Sequence, residues 1–165
     1  MTDKFSGPMT DRQTAVTTMT TSIHPHHRPP PRAVAPLGHA AFDLLEQARL
    51  GLTVAAMAPS APQRFVVAHL AALRAGAAVL AARARPRSTR GPRNVWTVLP
   101  QVAPSLAEWA PVFAASATKR AAIEAGLARV VTDREADDLL REAEHFAGLV
   151  AVHLGVPHQQ MLAAP

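Results

Sequence analysis

The 165-residue chain contains no cysteine and no tyrosine, and aromatic residues make up only 4% of it. Without cysteine there are no disulfides and no thiolate metal ligands, which fits a protein of the reducing cytoplasm. A sheet draws on Val, Ile, Thr, Tyr and Phe, so the shortage of aromatics argues against one. No apolar stretch reaches the roughly 18 uninterrupted residues of a membrane span. The best stretch, Phe65 to Ala82, is interrupted by His69, Arg74 and Gly76, so no membrane segment is expected. The first residues include Asp3 and Asp11 and no apolar run, which is not the pattern of a secretion signal. Also missing are a Gly-rich phosphate loop, Gly-x-Ser-x-Gly, His-Glu-x-x-His and any zinc-type spacing. Those absences count against a conventional metabolic enzyme.

What is present is alanine. Hydrophobic residues reach 48%, but much of that is alanine, which buries little area and favours helix. The expected fold is therefore an all-α, four- to five-helix bundle whose core comes from close helix approach. Length allows one domain. We expect a disordered tail rich in Pro, Thr and His over 1–38, the bundle over 39–154, and a short disordered tail over 155–165. The formal charge of +5 has a location. Arg83, Arg85, Arg87, Arg90 and Arg93 fall in one segment without an acid, and outside it basic and acidic residues balance.

Periodicity places the helices. Ala41, Leu45, Ala48, Leu52 and Ala55 share a face of a first helix from His39 to Met57, stopped by Pro59. Ser60 with Gln63 is a capping-box pattern opening a second helix. That helix has one stripe through Val66, Leu70, Leu73, Ala77 and Leu80 and another through Phe65, His69, Ala72, Gly76 and Val79. A helix apolar nearly all round is central in the bundle or lies in a subunit interface. A short helix over Asn94 to Leu99 follows, with Trp96 inward. Ser105 with Glu108 suggests another capped helix, kinked by Pro111. A weakly anchored helical segment over Thr118 to Leu127 is expected to end at Gly126. Thr132 with Glu135 caps the last helix, whose core stripe runs through Ala136, Leu140, Ala143, Ala147, Val150 and Leu154, supported by Leu139 and Phe146.

Three groups of residues are candidates for chemistry. The His24, His26 and His27 cluster has the ligand type of a metal site but no fixed geometry, so a solvated tail is the simpler reading and no metal or cofactor is expected. The arginine segment (Arg83, Arg85, Arg87, Arg90, Arg93) suits phosphate contacts, although no aromatic is interleaved for base stacking. On the last helix Arg134, Asp138, Arg141 and His145 form one row. Such a row is either an acid/base and phosphate-stabilising site or a salt-bridged outer face. Arg64 and His69, five residues apart, sit about 140° apart on their helix and are poorly placed to act as neighbours. His69 lies on an apolar stripe, where a core or interface histidine is the usual outcome.

Several blocks in order then resemble a known family. They are Phe42-Asp-Leu-Leu-Glu-Gln-Ala-Arg49, Ala68-His-Leu-Ala-Ala-Leu-Arg74 and Val79-Leu-Ala-Ala-Arg83. Val95-Trp-Thr-Val-Leu-Pro-Gln-Val-Ala-Pro-Ser-Leu-Ala-Glu-Trp-Ala110 and Arg134-Glu-Ala-Asp-Asp-Leu-Leu-Arg-Glu-Ala-Glu-His-Phe146 complete the set. Over about 40–154 the chain resembles a bacterial, actinobacterial-type subfamily of HEPN-domain proteins. The resemblance implies a helical bundle, frequently homodimeric, with an RNA- or nucleotide-associated role. Members of the wider family include metal-independent RNA-cleaving toxins and non-catalytic partners of nucleotidyltransferases. The nucleases carry an Arg, four to six residues and then a His, usually with a polar residue after the Arg and usually late in the bundle. Arg64 and His69 match that spacing, with Phe65 in place of the polar residue and on an early helix. Arg141 and His145 lie late in the chain with only three residues between them. The leading expectation is a dimeric HEPN-like protein with an RNA- or nucleotide-associated role, non-catalytic rather than a metal-independent ribonuclease, and the alternative is a non-catalytic, dimeric protein-interaction module.

Overall fold

Small residues decide how the helices meet. The computed structural model describes residues 38–83 and 94–156, and among these the fold is all-α, with no strand. The helices are α1 (His39–Ala56), α2 (Ala61–Arg83), α3 (Val95–Val102), α4 (Trp109–Glu124) and α5 (Asp133–His153). Two 3-10 turns, Pro104–Leu106 and Ala128–Val130, flank α4. The tail expected over 1–38 and the His24/His26/His27 cluster lie outside the described residues, except for Gly38. So do Arg85, Arg87, Arg90 and Arg93, and the chain beyond Val156.

The central element is α2, which packs on α1, α3, α4 and α5. Ala68, Ala71, Ala72, Ala75 and Ala78 are fully buried along it, and Ala48 and Ala55 are fully buried on α1. Each buried methyl contributes only ~0.8 kcal/mol. Close approach supplies many such contacts and replaces the bulk the composition lacks. Gly76 carries this furthest. A Cβ there would lie 2.6 Å from Val95 Cγ1, so α3 can cross α2 only above a glycine. By length and composition α2 is also apolar enough to cross a membrane, but in this fold it is the core helix.

Of the two apolar stripes on α2, the one through Phe65, His69, Ala72, Gly76 and Val79 is buried. The other, through Val66, Leu70, Leu73, Ala77 and Leu80, is half-buried. On α5 the core stripe passes through Ala136, Leu139, Ala143, Phe146, Ala147 and Val150, while Leu140 is half-buried at its edge. Four of the described aromatics are concentrated at one place. Trp96, Trp109, Phe113 and Phe146 interlock, with Trp96–Phe113 centroids 5.0 Å apart and Phe113–Phe146 centroids 5.2 Å apart.

Local signals set the helix ends. Thr132 and Glu135 form the expected capping box on α5. Asn94 caps α3 by accepting a hydrogen bond from the Trp96 N–H at 2.9 Å. Gly126, with φ +93°, closes α4 as expected. The segment from Ser105 departs from its sequence pattern. Pro104–Leu106 forms a 3-10 turn, and α4 begins only at Trp109. Pro111 therefore sits in the first turn of α4, where its missing N–H removes no intrahelical bond and no kink is needed.

Candidate functional site

His69 is the most buried polar side chain, with 1% of its surface exposed. It projects from α2 toward α4, where its ring nitrogen Nδ1 lies 2.8 Å from the Ser116 hydroxyl. That hydroxyl has one proton and donates it to the Phe113 carbonyl at 3.1 Å. Its oxygen therefore accepts from His69 Nδ1–H, which fixes the tautomer. Burial, and then the nearby Arg120 guanidinium, push the imidazole down to about 4, so it is neutral at ordinary pH. The ring also meets Trp96 edge-on at 6.4 Å.

Arg64, one and a half turns earlier on α2, is directed elsewhere. It donates to Asp137 Oδ1 at 2.8 Å and lies 3.8 Å from Asp133, both on α5. The guanidinium thus clamps the start of α2 to the start of α5. Within the chain the structure brings Arg64 and His69 to different neighbours.

The row on α5 is a salt-bridged face. Asp138 pairs with Arg141 and lies 3.9 Å from Arg134. His145 is exposed and packs edge-on against Trp109, with centroids 5.2 Å apart. A second row on α4 faces this one. Trp109 opposes His145 and Lys119 pairs with Glu135, so the two helices run antiparallel and touch through side chains. Between them lies a groove of about 260 Å³, with Ser116 and Phe65 at its floor and Glu135, Asp138 and Glu142 along one wall. Lys119, followed by the Thr132 N–H and hydroxyl, holds the Glu135 carboxyl down to about 2. Burial, and then Asp138, raises that of Glu142. Among the described residues no group of three or more His, Asp or Glu side chains converges as a metal site.

Of the five arginines in the basic segment only Arg83 is described. Its Nη2 lies 3.5 Å from His153 Nε2, at the end of the bundle where α2 and α5 finish. The other ring nitrogen of His153 is 3.4 Å from the Ser105 hydroxyl. Sequence spacing did not indicate Ser116, Asp137 or His153. Ser116 had one visible signal, a lone hydroxyl three residues after Phe113 on the inward face of α4. For Asp137 and His153 nothing local pointed to their partners, which lie 73 and 70 residues away.

Among the described residues the chain is an alanine-packed, all-helical bundle, with a buried histidine inside and paired charges outside. Residues 55–151, more than half of the chain, match the model of the SAV_6107-like HEPN family. The chain belongs to that family. Neither the curated proteins nor the solved structures contain a match to it.

Proposed function

We propose that this HEPN domain is a non-catalytic module that pairs with a second copy of itself through the outward faces of α2 and α1. One observation carries the first half: the pair with the nuclease spacing is taken up by the fold, and the arginine of the second pair is held by a neighbouring carboxylate. Arg64 is bound to Asp137 and Arg141 to Asp138, and His69 has 1% of its surface exposed. A general base needs to reach the proton it removes, and a sealed, neutral imidazole does not.

The second half rests on where apolar surface remains. Gly51 lies against Ala71 and Arg74, so α1 and α2 adjoin along that edge. On the side of this edge away from the core, α1 exposes Leu50, Val54 and Met57. The adjoining side of α2 presents its half-buried stripe, Val66, Leu70 and Ala77. From Val66 to Leu80 that stripe extends about 21 Å. A single apolar face of this kind is satisfied by a two-fold partner presenting the same face.

The experiment is light scattering on the whole chain at micromolar to submillimolar concentration. The expected mass is twice the 17.5 kDa of one chain. Leu70→Glu combined with Val54→Glu, checked for helicity by circular dichroism, is expected to give a folded monomer. A strict monomer in the unmodified protein overturns self-association. Metal-free cleavage of RNA that is lost in His145→Ala overturns the non-catalytic reading. A second reading, association with RNA through the basic segment, is supported by the five arginines and the absence of any acid among them.

A further inference from the structure

The geometry points to a binding site for a phosphate group, formed by Arg83, His153 and Ser105 at the end of the bundle where α2 and α5 finish. It is separate from both Arg…His pairs and does not depend on self-association.

The three residues come from three elements: the last turn of α2, the last turn of α5 and the 3-10 turn before α4. Arg83 differs from most arginines among the described residues. Arg49, Arg64, Arg120, Arg134 and Arg141 each lie within 4 Å of a carboxylate, whereas Arg83 meets a histidine. Two basic groups therefore stand side by side, with the Ser105 hydroxyl beside them. Their mutual contacts are long, 3.5 and 3.4 Å, so they leave most donor capacity unused. Both imidazole nitrogens face these two partners, Arg83 and Ser105, so the free donors are the remaining guanidinium N–H groups, joined by the imidazole and the hydroxyl when an oxyanion displaces the long contacts. A tetrahedral oxyanion, with several acceptor oxygens, matches that set better than a planar carboxylate.

The competing explanation is that Arg83 and His153 only offset the negative ends of their two helices. Helix-end charge accounts for a cation at each terminus. It does not account for the geometry of the pair, in which a neutral His153 accepts a long hydrogen bond from Arg83 that turns to repulsion whenever His153 is protonated. Burial, and then Arg83, lower the His153 pKa accordingly. A bound phosphate reverses the second effect by placing negative charge between the two groups.

The test is an NMR titration of the histidine side chains in the full chain, using inorganic phosphate. The His153 signals are expected to shift saturably and its pKa to rise, with His145 unaffected as an exposed internal reference. Sodium chloride at matched ionic strength must not reproduce the shift; if it does, the site is general screening and the proposal fails. Arg83→Gln is expected to weaken phosphate about tenfold or more, as loss of one charge-assisted donor implies. His153→Gln, which keeps a hydrogen-bonding side chain but cannot gain a proton, should retain only the pH dependence that comes from the ionisation of phosphate itself. Equal binding in unmodified protein and Arg83→Gln overturns the site. A single-stranded RNA decamer and a mononucleotide then identify the source of the phosphate. Displacement of phosphate by the decamer alone assigns a strand phosphate, and displacement by the mononucleotide assigns a terminal one. Failure of both overturns the site as one for nucleic-acid phosphate.

Discussion

The two Arg…His pairs lie on helices that run in the same direction and pack on one another, yet they meet opposite surroundings. On α2, Arg64 reaches across to Asp137 while His69 is sealed between α2 and α4 against Ser116. On α5, Arg141 pairs with its own neighbour Asp138, and His145 stays outside against the edge of Trp109. The same residue types at nearly the same spacing thus end as a buried polar contact in one case and a solvated row in the other. Spacing fixes which face a residue occupies. The partner helix fixes whether that face is inside.

The comparison has its largest consequence in acid. The folded chain keeps His69 neutral until about pH 4, whereas an exposed histidine takes up its proton near 6.5. Between those values the unfolded state binds more protons, so stability rises with pH across that window and is level above it. The gap corresponds to about 3 kcal/mol, present in full above pH 6.5 and lost as pH falls through about 4. Urea unfolding at pH 7.5 and pH 4.5 should show it. In His69→Gln the difference between the two pH values should shrink by most of that amount. Identical pH dependence in the two proteins would mean that His69 is not held neutral.

Removing the partner instead of the histidine gives the next largest effect. Ser116→Ala leaves His69 Nδ1–H without its acceptor beneath the floor of the groove, where the ring itself is 1% exposed. The expected cost is about 1–3 kcal/mol of unfolding free energy. In a His69→Leu background the same substitution should cost much less, because no donor remains to be stranded. A double-mutant cycle showing no coupling would break the assignment of this contact as the reason for the burial.

Most of the bundle was legible because its signals are local. The alanine periodicity placed α1 and α2, and the Thr132…Glu135 box placed the start of α5 to the residue. Its being apolar all round left α2 either central or interfacial, and its packing on α1, α3, α4 and α5 makes it central. What was not legible depended on contacts distant in sequence. Both α2 stripes are apolar, and only α3 and α4 closing over Gly76 and His69 make one of them the inside. Pro111 looked like a kink because nothing in the sequence shows that Pro104–Leu106 forms a separate turn. Of the two roles open to the α5 row, the pairing of Asp138 with Arg141 and Arg134 fits the salt-bridged outer face. Arg64 was recognised as too far round from His69, but its true partner, Asp137, could not be found by spacing.

Arg64→Gln tests the exposed half of the first pair. Its side chain is mostly covered, but Asp137 is open to solvent, so the bridge is a partly screened one. We expect a loss of about 1 kcal/mol, reduced by added salt, and a matching loss in Asp137→Asn that does not add to the first. The smallest effect belongs to Arg141→Ala. Asp138 keeps Arg134 nearby, both arginines are well exposed, and no buried group is left without a partner. Exposed pairs three residues apart on a helix contribute only ~0.2–0.5 kcal/mol, so the midpoint of urea unfolding should barely move. That near-silence is informative when set beside RNA binding. If Arg141→Ala leaves stability intact but abolishes salt-sensitive RNA binding, the surface pair is a ligand contact, and the contrast drawn between the two pairs becomes one of role as well as of burial.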